Sequence, residues 1–237
     1  MIAVARPEGG REIPWYDPTT MTTGRTPLLT APPTPPSTGA RDRILSAAYD
    51  LFARYGIRAV GIDAIIEQSG VARMTLYRHF ASKDELVLAF LERRHALWSV
   101  AWLQAEIERR ARKPMDQLLG IFDVFGEWFR LDSFESCSFT KVMLETAERS
   151  SAIRNASVMY LERVRALVES IAVQAGIADA AGFAHKWHLL MNGSIIAATE
   201  GDTEAGRRAR EIGELVLAAS LAAPQPTAAP RPPKIAG

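Results

Sequence analysis

Cysteine is almost missing. Cys137 stands alone among 237 residues, so no disulfide can form within the chain, and a reducing compartment is the expected setting. Proline is missing from the middle. Of 14 prolines, only Pro114 lies between Ala40 and Ala223. Because proline interrupts helices and central strands, that stretch marks the folded unit. Residues 1–39 and 223–237 then read as Pro/Thr-rich and Pro/Ala tails, disordered or polyproline-like. An excess of one charge is also missing. Net charge is +1, which excludes a generally basic nucleic-acid coat, although a specific DNA reader needs only a local basic face. No run approaches the roughly 18 apolar residues of a membrane span. The N-terminus has no continuous apolar core of a signal peptide. A cytoplasmic protein that does not enter membranes is expected.

Signatures of catalysis are absent too. There is no Gly-rich phosphate loop, no Ser or Cys nucleophile context and no recognisable pair of carboxylates. The reading is therefore not an enzyme, with no catalytic residue and no cofactor. His185 and His188 lie at i, i+3, but two histidines alone do not make a metal site, and none is assigned.

What remains is helical periodicity, and the chain reads as all-α. Ile44, Ala47, Ala48, Leu51, Phe52 and Tyr55 keep helical spacing, which predicts a first helix from Arg41 to Tyr55 ended by Gly56. Ile62, Ile65 and Ile66 form the stripe of a second, short helix. Ser69-Gly70 interrupts it, and Gly70 suits the left-handed residue of a tight turn. Arg73 to His79 then reads as a third helix with Leu76 and Phe80 inward. This is a helix-turn-helix, whose second helix enters the DNA major groove. Arg73, Thr75, Tyr77, Arg78 and His79 are donors for phosphates or base edges. Ser82 to Glu85 is a capping box, with Ser82 capping the next helix and Glu85 reaching back to the Ser82 amide. From Arg41 to Lys83, seven basic residues face four acidic ones.

The stretches ARDRILSAAYDLFARYGIRAV and GIDAIIEQSGVARMTLYRHFASKDEL resemble the TetR (tetracycline-repressor-like) bacterial regulators. Gly70-Val71, Thr75-Leu76-Tyr77, His79-Phe80 and Ser82-Lys83 sit where that family's pattern puts them. Gly61, Ile66 and Ala72 depart from it, replacing two capping hydroxyls and a small residue. A lost cap costs about 1 kcal/mol. The resemblance implies a three-helix DNA-binding head over 40–86 and a ligand-binding, dimerising helical body over 87–222. It implies base contacts from Arg73, Met74 and Thr75, and phosphate contacts from Tyr77, His79 and Lys83. Arg78 reads equally as a surface or ion-pair residue.

In the body, a single long helix from Ser82 to about Arg112 is expected to leave the head as a lever. Pro114 opens the next helix, and another runs from Cys137 to about Arg149. Trp98, Trp102, Phe122, Phe125, Trp128, Phe139, Met143, Trp187 and Met191 are candidates to line an effector pocket between helices, each being also plain core material. Amphipathic helices over 152–175 and 180–199 are the expected homodimer contacts, by the same resemblance, and a last helix covers 203–221. The partners are then a near-palindromic double-stranded DNA operator, a small apolar or aromatic effector and a second copy of the chain. Two alternatives stay open: a dimeric DNA-binding regulator without small-molecule input, and an all-α carrier whose DNA binding is lost.

Overall fold

The computed structural model describes residues 39–148 and 151–222. The predicted tails lie outside them, apart from Gly39. Every regular element among the described residues is helical: α1 (Ala40–Tyr55), α2 (Ile62–Ser69), α3 (Arg73–His79), α4 (Lys83–Arg94), a wide π-helical stretch (His95–Gln104), α5 (Ala105–Arg110), α6 (Pro114–Phe129), α7 (Ser138–Glu145), α8 (Ala152–Gln174), α9 (Ala180–Thr199) and α10 (Ala205–Ala222).

The first three helices fall where the periodicity put them, but the inner face of α1 is turned. Tyr55 is exposed, and Tyr49 is buried instead. The cause is tertiary: α1 packs against α2, α3 and α4 at once. Tyr49 is held by the guanidinium of Arg94, whose Nη1 donates to its hydroxyl at 2.8 Å.

The expected single helix from 82 to 112 is divided. HALWSVAWLQ carries no charge apart from His95 and is apolar on most sides, so no single face is set at 3.6 spacing. A widened helix is a recognised response and is frequent at functional sites. Trp98 and Leu103 of this stretch are both buried. The helix expected to reach Arg149 ends at Glu145, because Thr146 turns extended and its hydroxyl donates back to the Val142 carbonyl at 2.8 Å.

Two apolar clusters organise the molecule. One joins Ile44, Phe52, Ile65, Leu76, Phe80 and Phe90 of the head to Phe139 and Val142 of α7 and Tyr160 of α8. The head's core is therefore continuous with part of the body. The other gathers Trp98, Phe122, Phe125, Trp128, Phe183 and Trp187. Helices α6 and α10 close over it at Gly126 and Gly206, where a Cβ on Gly206 would stand 2.5 Å from the Gly126 Cα.

The stripe predicted on α8 is largely used inside the protomer: Val164, Val168 and Ile171 are buried. Exposed apolar side chains lie on α9 (Leu189, Ile196) and α10 (Ile212, Leu215), and on α8 at Val173 and Met159.

Candidate functional site

The turn between α2 and α3 is built by Gly70, at φ 64°, with Val71 buried behind it. Neither Gly61 nor Ala72 supplies a side-chain cap. Leu76 and Phe80 anchor α3 inward with almost no exposure. Arg41 adds a guanidinium over the Phe80 ring, 4.9 Å from its centroid. Ser82 caps α4 by accepting the Glu85 amide at 3.1 Å. Glu85 reaches back to the amide of Ala81, at 2.7 Å, one residue before the expected Ser82.

With one face of α3 pinned, the other is free. Met74 is 80% exposed and Tyr77 41%. Arg73 and Arg78 are exposed, while Thr75, His79 and Lys83 are half-buried. The seven residues expected to meet DNA therefore share α3 and the first turn of α4. Arg73 is not idle. Its guanidinium pairs with the Asp63 carboxylate of α2. Both side chains are well exposed, so the pair is weak and readily exchanged for a phosphate or a guanine edge.

Three further contacts tie this head to the body. Lys141 Nζ of α7 donates to the carbonyls of Ala53 (2.8 Å) and Glu135 (3.2 Å). Glu145 Oε2 accepts the backbone N–H of Arg58 at 2.9 Å. Arg94, buried, reaches Tyr49 and lies 3.9 Å from the Glu135 carboxylate. Burial pushes the Glu135 carboxyl above its ordinary range, against the pull of Arg94, Lys141 and Arg54.

The nine aromatic and methionine candidates are brought close to one another only in part. Trp98 packs at a tilt against Trp102, with ring centroids 5.3 Å apart, and against Trp128 at 5.0 Å. Phe122 meets Trp187 at 5.1 Å and Phe125 at 6.5 Å. Met191 is buried in the same cluster. Phe139 belongs to the other cluster, 5.4 Å from Tyr160, and Met143 is half-buried on α7. None of the nine lines the open cleft of about 650 Å³ that the described residues form. That cleft lies between the end of α1, the 132–137 loop, α7 and α9, with Arg54, Lys141, Phe134, Leu144, Ile195 and Ile196 among its walls.

Sequence reading missed Asp63, Arg94, Lys141 and Glu145. Lys141 and Glu145 hold residues 88 and 87 positions away, and nothing local marks such a partner. Asp63 could have been found, as the one acidic side chain in the first turn of α2. Among the described residues no group of three or more His, Cys, Asp or Glu is placed to hold a metal ion.

Residues 44–90 match the bacterial regulatory proteins of the TetR family. The chain is 45% identical over 53 residues to the transcriptional activator FasR of Mycolicibacterium smegmatis, covering 22% of this chain and 24% of that protein. It is 33% identical over 93 residues to the transcriptional repressor KstR2 of the same organism, covering 39% and 44%. These alignments span less than half the length of either relative. A solved TetR-family transcriptional regulator from Streptomyces coelicolor superposes with a TM-score of 0.71 at 26% identity, over 76% of this chain and 89% of that one.

Proposed function

We propose that this chain, a member of the TetR family by its head and its fold, is a homodimeric transcriptional regulator that binds a near-palindromic operator and answers to a small molecule. The observation that carries this is α3: a helix anchored on one face by Leu76 and Phe80 and presenting Arg73, Met74 and Tyr77 on the other. Arg73 is the first specificity residue, because a guanidinium matches the major-groove edge of guanine. Met74 and Thr75 join it at the bases. Tyr77, His79 and Lys83 hold phosphates, with Arg78 beside them.

Two such helices must reach successive major grooves about 34–36 Å apart. The exposed apolar face of α9 and α10 supplies the means of pairing. Repression is the working sense of the regulation, although the relatives include both an activator and a repressor. The lone cysteine fits a cytoplasmic setting. Among the described residues no helix is long and apolar enough to cross a membrane.

The aromatic layer of the body is the expected effector seat. Trp98 Nε1 and Ser99 Oγ are buried there without a hydrogen-bond partner among the described residues, a costly state that a ligand acceptor would relieve. Effector bound there shifts the population of head orientations through the π-helical stretch and α4. It acts only if it binds the DNA-incompatible state more tightly.

The test is footprinting on the intergenic DNA beside the chain's own gene, across a salt series. A protected, near-palindromic site with affinity falling steeply in salt supports the reading. Arg73→Ala should weaken that site by about 1–3 kcal/mol and relax its sequence preference. Asp63→Asn should free Arg73 and tighten DNA binding. Specific binding that survives Arg73→Ala with Tyr77→Ala removes α3 from the recognition role. If the folded dimer binds no fragment at low salt, the carrier reading takes its place.

A further inference from the structure

We propose that the cleft between α7, α9 and the end of α1 is a second small-molecule site, adjoining the aromatic layer through Phe134 and Ile195, which takes an amphipathic carboxylate with its anionic head on Lys141. Its volume of about 650 Å³ is that of a ligand site rather than a packing gap. Its lining is apolar at Phe134, Leu144, Ile195 and Ile196 and cationic at Lys141 and Arg54.

Charge decides the class of ligand. Two carboxylates also border the cleft. Glu135 is engaged by the buried Arg94, and Asp132 is exposed at the rim. Lys141 is half-buried, and among the described residues no carboxylate lies within 4.0 Å of its ammonium. It spends its hydrogen bonds on two neutral carbonyls, Ala53 and Glu135. An ammonium has three donors, so one remains. A bond from that donor to an anion is roughly twice as strong as one to a neutral acceptor. Lys141 keeps that free donor despite its attraction to Glu135, which is shared with Arg94 and Arg54, and a free ammonium donor beside apolar side chains fits a carboxylate carrying an alkyl or aryl tail. A neutral or cationic amphipath leaves the ammonium uncompensated.

The position of Ala53 gives the site a consequence, which rests on the regulator reading above. Ala53 lies in the last turn of α1, inside the DNA-binding head. Its carbonyl shares the ammonium that the ligand would claim. A bound carboxylate draws Lys141 into the cleft and loosens the tie between α7 and α1.

Titration calorimetry on the full chain tests the site with three probes of equal tail: decanoate, decanol and decyltrimethylammonium. Decanoate should bind, decanol about tenfold more weakly, and the cation not at all. Lys141→Met should cost decanoate about tenfold and leave decanol unchanged. Since that variant also loses a bond to α1, Leu144→Glu is the companion. Leu144 is 71% exposed, so folding is not at risk, and the new carboxylate should weaken decanoate more than decanol, which loses only a tail contact. Absence of decanoate binding overturns the site. So does binding indifferent to both variants, which would place the probe in the aromatic layer. Binding as expected supports it, with or without an operator. In that case an absent operator would sink the regulator reading and leave the site standing. If the operator exists and decanoate leaves its affinity unchanged, the Lys141 exchange is wrong.

Discussion

Glu145 accepts the backbone N–H of Arg58 at 2.9 Å, and its other carboxylate oxygen fills the space beside Gly56, 2.1 Å from where a Cβ would stand. The end of α7 thus clasps the turn between α1 and α2. Four residues earlier on the same helix, Lys141 holds the Ala53 carbonyl. Helix α4 is therefore not the single mechanical link between the two halves. α7 grips α1 from the side, and the head's apolar cluster runs on into it.

That clasp has a measurable coupling. Gly56 sits at φ 82° and ψ 165°, a region essentially confined to glycine that costs a residue with a Cβ about 1–3 kcal/mol. Gly56→Ala should pay that and also dislodge Glu145, losing a charge-assisted bond of about 1.5–3 kcal/mol. In a Glu145→Ala background only the backbone cost remains. A double-mutant cycle by urea denaturation should show a coupling above about 1 kcal/mol. Additive effects would mean the carboxylate does not hold the turn.

Two glycines should respond in opposite directions. Gly206→Ala places its methyl against the Gly126 backbone, 2.5 Å away, which cannot move aside as a side chain would. A loss of about 1–3 kcal/mol, or more, is expected. Gly120 sits in α6 with nothing within 4 Å of its Cβ position. Gly120→Ala should gain about 0.5–1 kcal/mol from helix propensity. Denaturation midpoints for the pair check both signs.

The apolar face of α9 and α10 should carry the dimer. Leu189 is 74% exposed and Leu215 72%, so a charge at either costs the single protomer little. Leu189→Lys with Leu215→Lys should yield a folded monomer by sedimentation velocity, with operator affinity lost. A dimer that persists unchanged would return attention to α8.

Stability should fall in weak acid. Burial, helped by the nearby Arg163 guanidinium, holds His95 down to about 4. Burial, Arg165 and His185 do the same to His188. Both are neutral in the folded chain and take up a proton more readily when unfolded, near the ordinary 6.5. Their contribution is complete above about pH 6.5 and is lost as pH falls toward 4. His95→Phe, which can keep the stacking on Tyr160 at 4.8 Å, should flatten the slope of denaturation midpoint between those limits. An unchanged slope would show that His95 does not titrate with folding.

Much of the head was legible in the sequence because its signals are local. Gly70 needs a left-handed backbone, Ser82 and Glu85 cap α4 through bonds that span three and four residues, and Leu76 with Phe80 obey a period set by the helix itself. The misses share a different cause. Tyr55 and Tyr49 both fit α1 by spacing, and only the three helices packed around α1 choose between them. Glu85 takes the Ala81 amide rather than that of Ser82, a choice the capping pattern does not specify.

By itself the sequence determined the helical class, the helix-turn-helix and which face of α3 is left outward, since each depends on contacts within a few residues. Tertiary structure alone decided where the cleft opens, that Lys141 and Glu145 grip the end of α1, and that α8 spends Val164, Val168 and Ile171 inside the protomer. Those outcomes join residues tens of positions apart, or depend on which of two apolar faces is already covered, and a linear pattern holds neither.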